Sequence, residues 1–123
     1  MCGICGAIDW KGRGEAAARE ADVSLMLERL AHRGPDGWGV ASRGPATLGA
    51  VRLAIRGLSD GQQPIVDEAS GIVVVCNGEI DNHRELKRWL ASRGRPVEAE
   101  TDVAVLPGLF LELGPGFVER LVG

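Results

Sequence analysis

In the first third of the chain, a short apolar run is followed by apolar residues at helical spacing. Ile4–Trp10 is a short apolar run with small residues, which predicts a buried strand. In the following segment, GEAAAREADVSLMLERLAHRG, four apolar residues recur at i, i+3, i+4 and i+7, which is one face of a helix. These residues are Val23, Met26, Leu27 and Leu30. The spacing predicts an amphipathic helix that stops at the Gly-Pro pair after it.

The middle of the chain is typical of antiparallel strands. GVASRG and TLGAVRLAI are two apolar runs joined by a Gly-Pro turn. GIVVVCNGEI is a β-branched run that ends in Asn-Gly, as expected of a strand that enters a tight turn. A hairpin turn is therefore one interpretation of Asn77-Gly78.

A second helix is predicted after this strand. Asn82, with Glu85 three residues later, resembles a capping box at a helix start. Leu86, Trp89 and Leu90 form its apolar stripe, and the following glycine ends it.

The third helical pattern, ETDVAVLPGLFLELG, contains Pro107 and Gly108. Proline in a helix interior costs about 3 kcal/mol, so we expect this helix to be interrupted. The order strand, helix, several strands, helix, helix predicts an α+β domain with mainly antiparallel sheets.

Composition narrows the class of protein. The 123 residues suffice for one modest domain, and 45% hydrophobic with 25% charged residues is ordinary for a globular protein. A net charge of −3 without basic runs argues against nucleic-acid binding. The sequence shows no membrane-length apolar stretch and no signal-peptide pattern, which predicts a cytoplasmic protein. Three cysteines, an odd number, in a reducing compartment argue against a disulfide framework.

The most suggestive chemistry lies at the start of the chain, MCGICG. If Met1 is removed, Cys2 carries both a thiol and a free α-amine. An α-amine has a pKa of about 7.7–8.0 and is able to take the thiol proton, which gives a nucleophilic thiolate. The alternative is that Cys2 is a small apolar residue at the start of a strand.

Cys2 and Cys5 also form a C-x-x-C pair. Such a pair is compatible with a redox site or half of a zinc site. A zinc site needs four ligands, and Cys76, His32 and His83 show no second paired spacing. We therefore expect no metal site.

Other residue types are those that an amidase acting on amino acids requires. Asn77 and Gly78 offer two N–H donors for an oxyanion. Arg52, inside an apolar strand pattern, suits a carboxylate, and Asp102 suits an ammonium group or a helix N-terminus.

The segment HRGPDGWG contains a proline and three glycines. Its composition indicates a rigid loop, and the alternative interpretation is a plain helix-to-strand turn.

Taken in order, MCGICG, HRGPDGWG, RLAI, GQQPI, NGEI-NH and TD resemble the glutaminase domain of class II glutamine amidotransferases, and most closely that of the glutamine-hydrolysing asparagine synthetases. The resemblance covers nearly the whole chain. It implies a four-layer α/β/β/α N-terminal-nucleophile fold, expected to be incomplete here. It also implies that residues 1–123 are the N-terminal part of this domain and that the synthetase domain is absent.

The resemblance assigns roles residue by residue. Cys2 is the nucleophile, its amine the base, and Asn77 and Gly78 form the oxyanion hole. Arg52 holds the glutamine carboxylate and Asp102 its ammonium group. The remaining pocket residues implied in this way are Leu53, Ala54, Ile55, Arg56 and Glu79.

In the family, ammonia passes to a C-terminal domain that uses ATP for asparagine synthesis. ATP and Mg²⁺ are expected only there, because this chain has no pyrophosphate-loop or Walker A motif. It also differs from the family pattern at Asp81, at Arg56-Gly57 and at Pro107-Gly108. The competing interpretation is a non-catalytic shortened relative that binds glutamine or a partner subunit. If strands are missing, self-association through exposed sheet surface is expected.

Overall fold

The computed structural model describes residues 2–53 and 61–123. They fall into two compact units. The first comprises residues 2–53 and 62–77, and the second comprises residues 61 and 78–123. The first unit combines one helix with antiparallel strands, and the second is helical. This confirms the predicted α+β class. No helix in the described part of the chain is long and apolar enough to cross a membrane.

The larger sheet of the first unit has three antiparallel strands. They are β1 (Gly3–Ile8), β2 (Gly37–Arg43) and β3 (Ala46–Arg52), in the spatial order β1-β3-β2. In the register, Gly3 lies opposite Val51. Both strands predicted around the Gly-Pro turn are therefore confirmed, and the first predicted strand ends two residues early.

The smaller sheet is a two-stranded antiparallel pair, β4 (Ile65–Asp67) and β5 (Ile72–Val74). Only β5 is predicted from the sequence. With three residues, β4 is too short for its alternation to be visible without its partner.

Helix α1 (Ala16–Leu30), extended by a 3-10 turn at Ala31–Arg33, packs on one face of the larger sheet. Val23, Leu27 and Val51 form the core there. The predicted helix is confirmed, but Met26 is 42% exposed. The buried stripe is turned toward Arg19, whose guanidinium is buried and donates to Thr47 Oγ1 and to the carbonyls of two loops.

The opposite face of β1 is less covered. Because side chains alternate along a strand, Cys5 and Ala7 face α1, whereas Ile4 and Ile8 face the other way. Ile4 is 45% and Ile8 49% exposed. This is the exposed apolar sheet surface from which self-association is predicted, and association itself stays a prediction.

The second unit contains α2 (His83–Ser92), a 3-10 turn at Asp102–Val105, α3 (Leu106–Leu113) and a 3-10 segment at Gly114–Arg120. Leu86 and Leu90 of α2 are buried, as its apolar stripe predicts. Gly94, two residues past the end of α2, has φ of 78°, a left-handed conformation that glycine adopts without strain.

The expected interruption by Pro107 is wrong. The preceding residues form a 3-10 turn, so Pro107 is the second residue of α3 rather than an interior one. The first N–H groups of a helix have no partner within it, so a proline there removes no hydrogen bond. Gly108 packs against the side chain of Leu90.

The predicted position of Asn82 at the start of α2 is confirmed, but its predicted capping hydrogen bond is wrong. Asn82 precedes α2, but its side chain makes no cap hydrogen bond. Its Oδ1 instead accepts the N–H of Val122 over 3.1 Å, and its Nδ2 donates to the carbonyl of Arg120 over 2.8 Å. The amide therefore ties the end of the chain to the start of α2.

Candidate active site

Cys2 lies directly before β1, beside the end of β3. The backbone N–H of Leu53 points to Cys2 Sγ over 3.4 Å. Continuing the register of β1 and β3 by one pair places Cys2 opposite Arg52. The sulfur is thus held by main chain at a strand end, partly buried, which is a position from which a nucleophile is able to reach a substrate.

Arg33 is a site residue that the sequence analysis missed. Its Nε donates to the carbonyl oxygen of Cys2 over 3.1 Å, across 31 positions in sequence. It belongs to the 3-10 turn that follows α1. Its place in HRGPDGWG, next to a glycine, is the only sequence signal that could have drawn attention to it.

Gly34 explains why the HRGPDGWG loop lies so close to the site. A Cβ at this position would stand 2.5 Å from the backbone nitrogen of Arg52, which no real side chain tolerates. The loop is further held by the N–H of Asp36, which donates to the carbonyl of Arg52 over 3.0 Å. HRGPDGWG is therefore more than a plain turn, because it lies against the strand end that carries Arg52.

Arg52 itself is the last residue of β3 and only 7% exposed. By strand alternation it shares a face with Cys2 and not with α1. The structure thus brings together Cys2, Arg52 and Leu53, three of the predicted site residues, in the first unit.

Strand alternation separates the side chains of Cys2 and Cys5. They are three residues apart, so they face opposite sides of β1. Cys5 packs against the α1 core, and burial raises the pKa of its thiol. Among residues 2–53 and 61–123, no three His, Cys, Asp or Glu side chains group closely enough to hold a metal ion.

Asn77 and Gly78 do not form a hairpin turn. No strand follows them in the described residues, and α2 begins at His83 instead. Asn77, Gly78 and Glu79 are all exposed. Within the described chain, the Asn77 amide makes no hydrogen bond, which leaves its donors open to a ligand.

Asp102 is buried in the second unit, with 5% exposure. Its Oδ2 accepts the N–H of Ile80 over 2.7 Å, and the hydroxyl of Thr101 lies 3.5 Å from Oδ1. The carboxylate therefore fixes the segment just after Gly78. Asp102 is also the first residue of the 3-10 turn Asp102–Val105, a place where an acidic side chain suits the helix dipole.

Some of the predicted site residues lie in the first unit and others in the second. Cys2, Arg52, Leu53 and Asn77 belong to the first, and Gly78, Glu79 and Asp102 to the second. Ala54, Ile55 and Arg56 lie outside the described residues.

A family profile described as a glutamine amidotransferase domain matches residues 1–123. The chain belongs to this family. Along its whole length the domain is 37% identical to a glutamine-hydrolyzing asparagine synthetase of Asparagus officinalis, covering 20% of that protein. It is 36% identical to glutamine-hydrolyzing asparagine synthetase 1 of Arabidopsis thaliana, also over 20% of its length. This amidotransferase domain therefore spans about a fifth of the curated relatives it matches.

Proposed function

We propose that this glutamine amidotransferase domain hydrolyses glutamine to glutamate and ammonia, with Cys2 as N-terminal nucleophile after removal of Met1. The observation that carries the proposal is the fixed position of Cys2. The main-chain N–H of Leu53 donates to the sulfur of Cys2, and Arg33 donates to the carbonyl oxygen of Cys2. A cysteine held from two sides at a strand end is preorganised for attack.

The reaction begins with transfer of the thiol proton to the α-amine of Cys2, directly or through one water. The Sγ then forms a bond to the side-chain amide carbon of glutamine. The amide oxygen gains negative charge and accepts hydrogen bonds from the Asn77 amide and the Gly78 N–H. The exposed Asn77 amide supports this role.

The intermediate collapses by breaking its carbon–nitrogen bond. The α-ammonium returns the proton to the leaving nitrogen, and ammonia departs. The γ-glutamyl thioester remains on Cys2. A water molecule, deprotonated by the same amine, attacks the thioester and releases glutamate with a regenerated thiol.

Substrate binding uses the α-groups of glutamine. We assign the α-carboxylate to Arg52, whose planar guanidinium binds a carboxylate through two hydrogen bonds. The α-ammonium is assigned to Asp102, and burial of that carboxylate supports a strong, charge-selective contact. Leu53, Glu79 and residues 54–56 complete the proposed pocket.

The released ammonia is proposed to serve ATP-dependent asparagine synthesis by a synthetase domain or subunit, which would hold ATP and Mg²⁺. The names of the relatives support this partner, since they are glutamine-hydrolyzing asparagine synthetases. This chain matches about a fifth of the length of these relatives.

The test combines intact mass with ammonia release from the purified protein. Protein without Met1 should release ammonia from glutamine, and protein that retains Met1 should not, because the amine is then blocked. An electrophilic glutamine analogue should add one equivalent at Cys2. Glutamine binding without turnover in Met1-free protein would favour the non-catalytic alternative, and absence of both would refute the proposal.

A further inference from the structure

The first unit contains a cavity on the face of the larger sheet that carries α1, away from Cys2. It has a volume of about 230 Å³ and lies between the second half of α1, the loop at Gly34–Gly37 and strands β2 and β3. Trp38 lies opposite Val51 in the sheet register, and both line the cavity. Cys2 lies opposite Arg52 and therefore on the other face.

The walls of this cavity are apolar. Leu27, Ala31, Pro35 and Val51 line it. Its volume exceeds the roughly 150 Å³ of an engineered cavity that binds benzene, yet falls short of the roughly 300–1,000 Å³ typical of sites for drug-sized ligands. It is therefore matched to one aromatic or branched aliphatic group with a short polar extension.

Two further residues that line the cavity favour a positive charge on the polar part of the ligand. Trp38 is 65% exposed, which is unusual for an indole that borders a cavity in its own domain. Glu28 also lines the cavity, and no lysine or arginine of the described residues forms an ion pair with it. An indole ring and a carboxylate both attract a cation, the ring through its quadrupole.

From these observations we propose that the cavity binds a small organic cation, an ammonium group attached to one aromatic or branched aliphatic group. The apolar group occupies the space between Leu27, Pro35 and Val51. The ammonium lies at the mouth, near the carboxylate of Glu28 and the ring of Trp38. This site is distinct from the proposed glutamine site, because the side chains of Trp38 and Val51 that line it lie on the α1 face of the sheet, whereas Cys2 lies on the other face.

Three ligands of similar shape test the proposal: phenethylamine, phenethyl alcohol and phenylacetate. In NMR titrations of the ¹⁵N-labelled protein, phenethylamine should shift the Trp38 indole signal and the amides of the second half of α1. With about nine heavy atoms, it should bind in the millimolar range. The alcohol should bind more weakly and the anion weakest. Equal binding of all three, or shifts elsewhere only, would overturn the proposal.

Matched variants test the residues. Glu28→Gln should weaken phenethylamine binding about two- to fivefold and leave the alcohol unchanged. Glu20→Gln, an exposed change on the same helix, should alter neither. Trp38→Ala should weaken the binding of phenethylamine. Trp10→Ala should leave it unchanged, because Trp10 does not line this cavity. Unaltered amine affinity in both Glu28→Gln and Trp38→Ala would refute the site.

A filling variant checks the location without removing a charge. Ala31→Leu should occupy the cavity and abolish binding of all three ligands, while the spectrum elsewhere stays that of a folded protein. Binding that persists in Ala31→Leu would place the ligands somewhere else and contradict the proposal.

Discussion

Arg33 Nε donates to the carbonyl oxygen of Cys2 over 3.1 Å, so the turn after α1 holds the residue proposed as nucleophile. The contact is to main chain, not to the sulfur. It therefore fixes where Cys2 stands without competing for the thiol. Arg33 is a positioning residue of the proposed reaction.

Arg33→Met should lower kcat for ammonia release about 10- to 100-fold, because small displacements of a reacting group are costly. KM should change little, since the contact is to Cys2 and not to substrate. Arg33→Lys, which keeps a donor, should recover part of the rate. Arg29→Met, an exposed change one turn earlier, is the control. A rise in KM with unchanged kcat would contradict the positioning role.

Cys2→Ala should abolish ammonia release and leave the melting temperature unchanged. Cys5→Ala should retain activity, because Cys5 faces the α1 core. In the native protein, iodoacetamide at neutral pH should label Cys2 before Cys5, since burial raises the pKa of the Cys5 thiol and the thiolate is the reactive form. Peptide mass spectrometry measures the order. Activity that survives in Cys2→Ala would transfer the nucleophile to another group.

Asp102→Asn separates the two roles of this carboxylate. The amide oxygen of asparagine still accepts the Ile80 N–H, so the melting temperature should hold. The charge is lost, so glutamine affinity by calorimetry should fall about 10- to 100-fold. Asp102→Ala should in addition lower the free energy of unfolding by about 1–3 kcal/mol. Native glutamine affinity in Asp102→Asn would show that the residue is structural only.

Gly34→Ala should lower the free energy of unfolding by about 1–3 kcal/mol, because the added Cβ meets the backbone of Arg52. Gly116→Ala provides the control, since its Cβ would have no atom within 4 Å. Denaturant titrations of both variants give the comparison. Equal stability of the two would mean that the loop does not pack on β3 as described.

Glu112 of α3 accepts hydrogen bonds from Arg95 and Arg93, which lie just beyond α2. These two arginines, Arg95 first, lower the pKa of the Glu112 carboxyl. The resulting stabilisation is present above the unfolded pKa of about 4.3 and is lost as pH falls from there through the lowered folded pKa. Melting temperatures of the native protein and Glu112→Gln should therefore differ at pH 7 and converge in acid. A constant difference would exclude this linkage.

The sequence predicts the elements whose apolar period is long enough to be visible. The apolar stripe of α1 predicts the helix but not which of its faces is buried. Arg19 is charged, so no sequence pattern places it in the interior. Its burial depends on acceptors in two distant loops. The position of Pro107 is predicted wrongly for a related reason. The 3-10 turn before α3 makes Pro107 an early helix residue, and such a short turn has no recognisable sequence pattern.

In the candidate site, too, some residues are predictable from the sequence and others are not. Cys2 is predictable because its chemistry follows from its position next to Met1. Arg33 is not, because its acceptor is a backbone carbonyl 31 residues away, and every residue has such a carbonyl. The bond from Ile80 to Asp102 is hidden for the same reason.

The alternation along β1 has a practical consequence for directed evolution of this domain. Positions 4 and 8 share the parity of Cys2 and are half exposed, whereas positions 5 and 7 pack on α1. A library restricted to Ile4 and Ile8 would vary the exposed face of β1 while the packed interior keeps its composition. One strand thus offers separate mutational access to the exposed surface of the sheet and to its packed core.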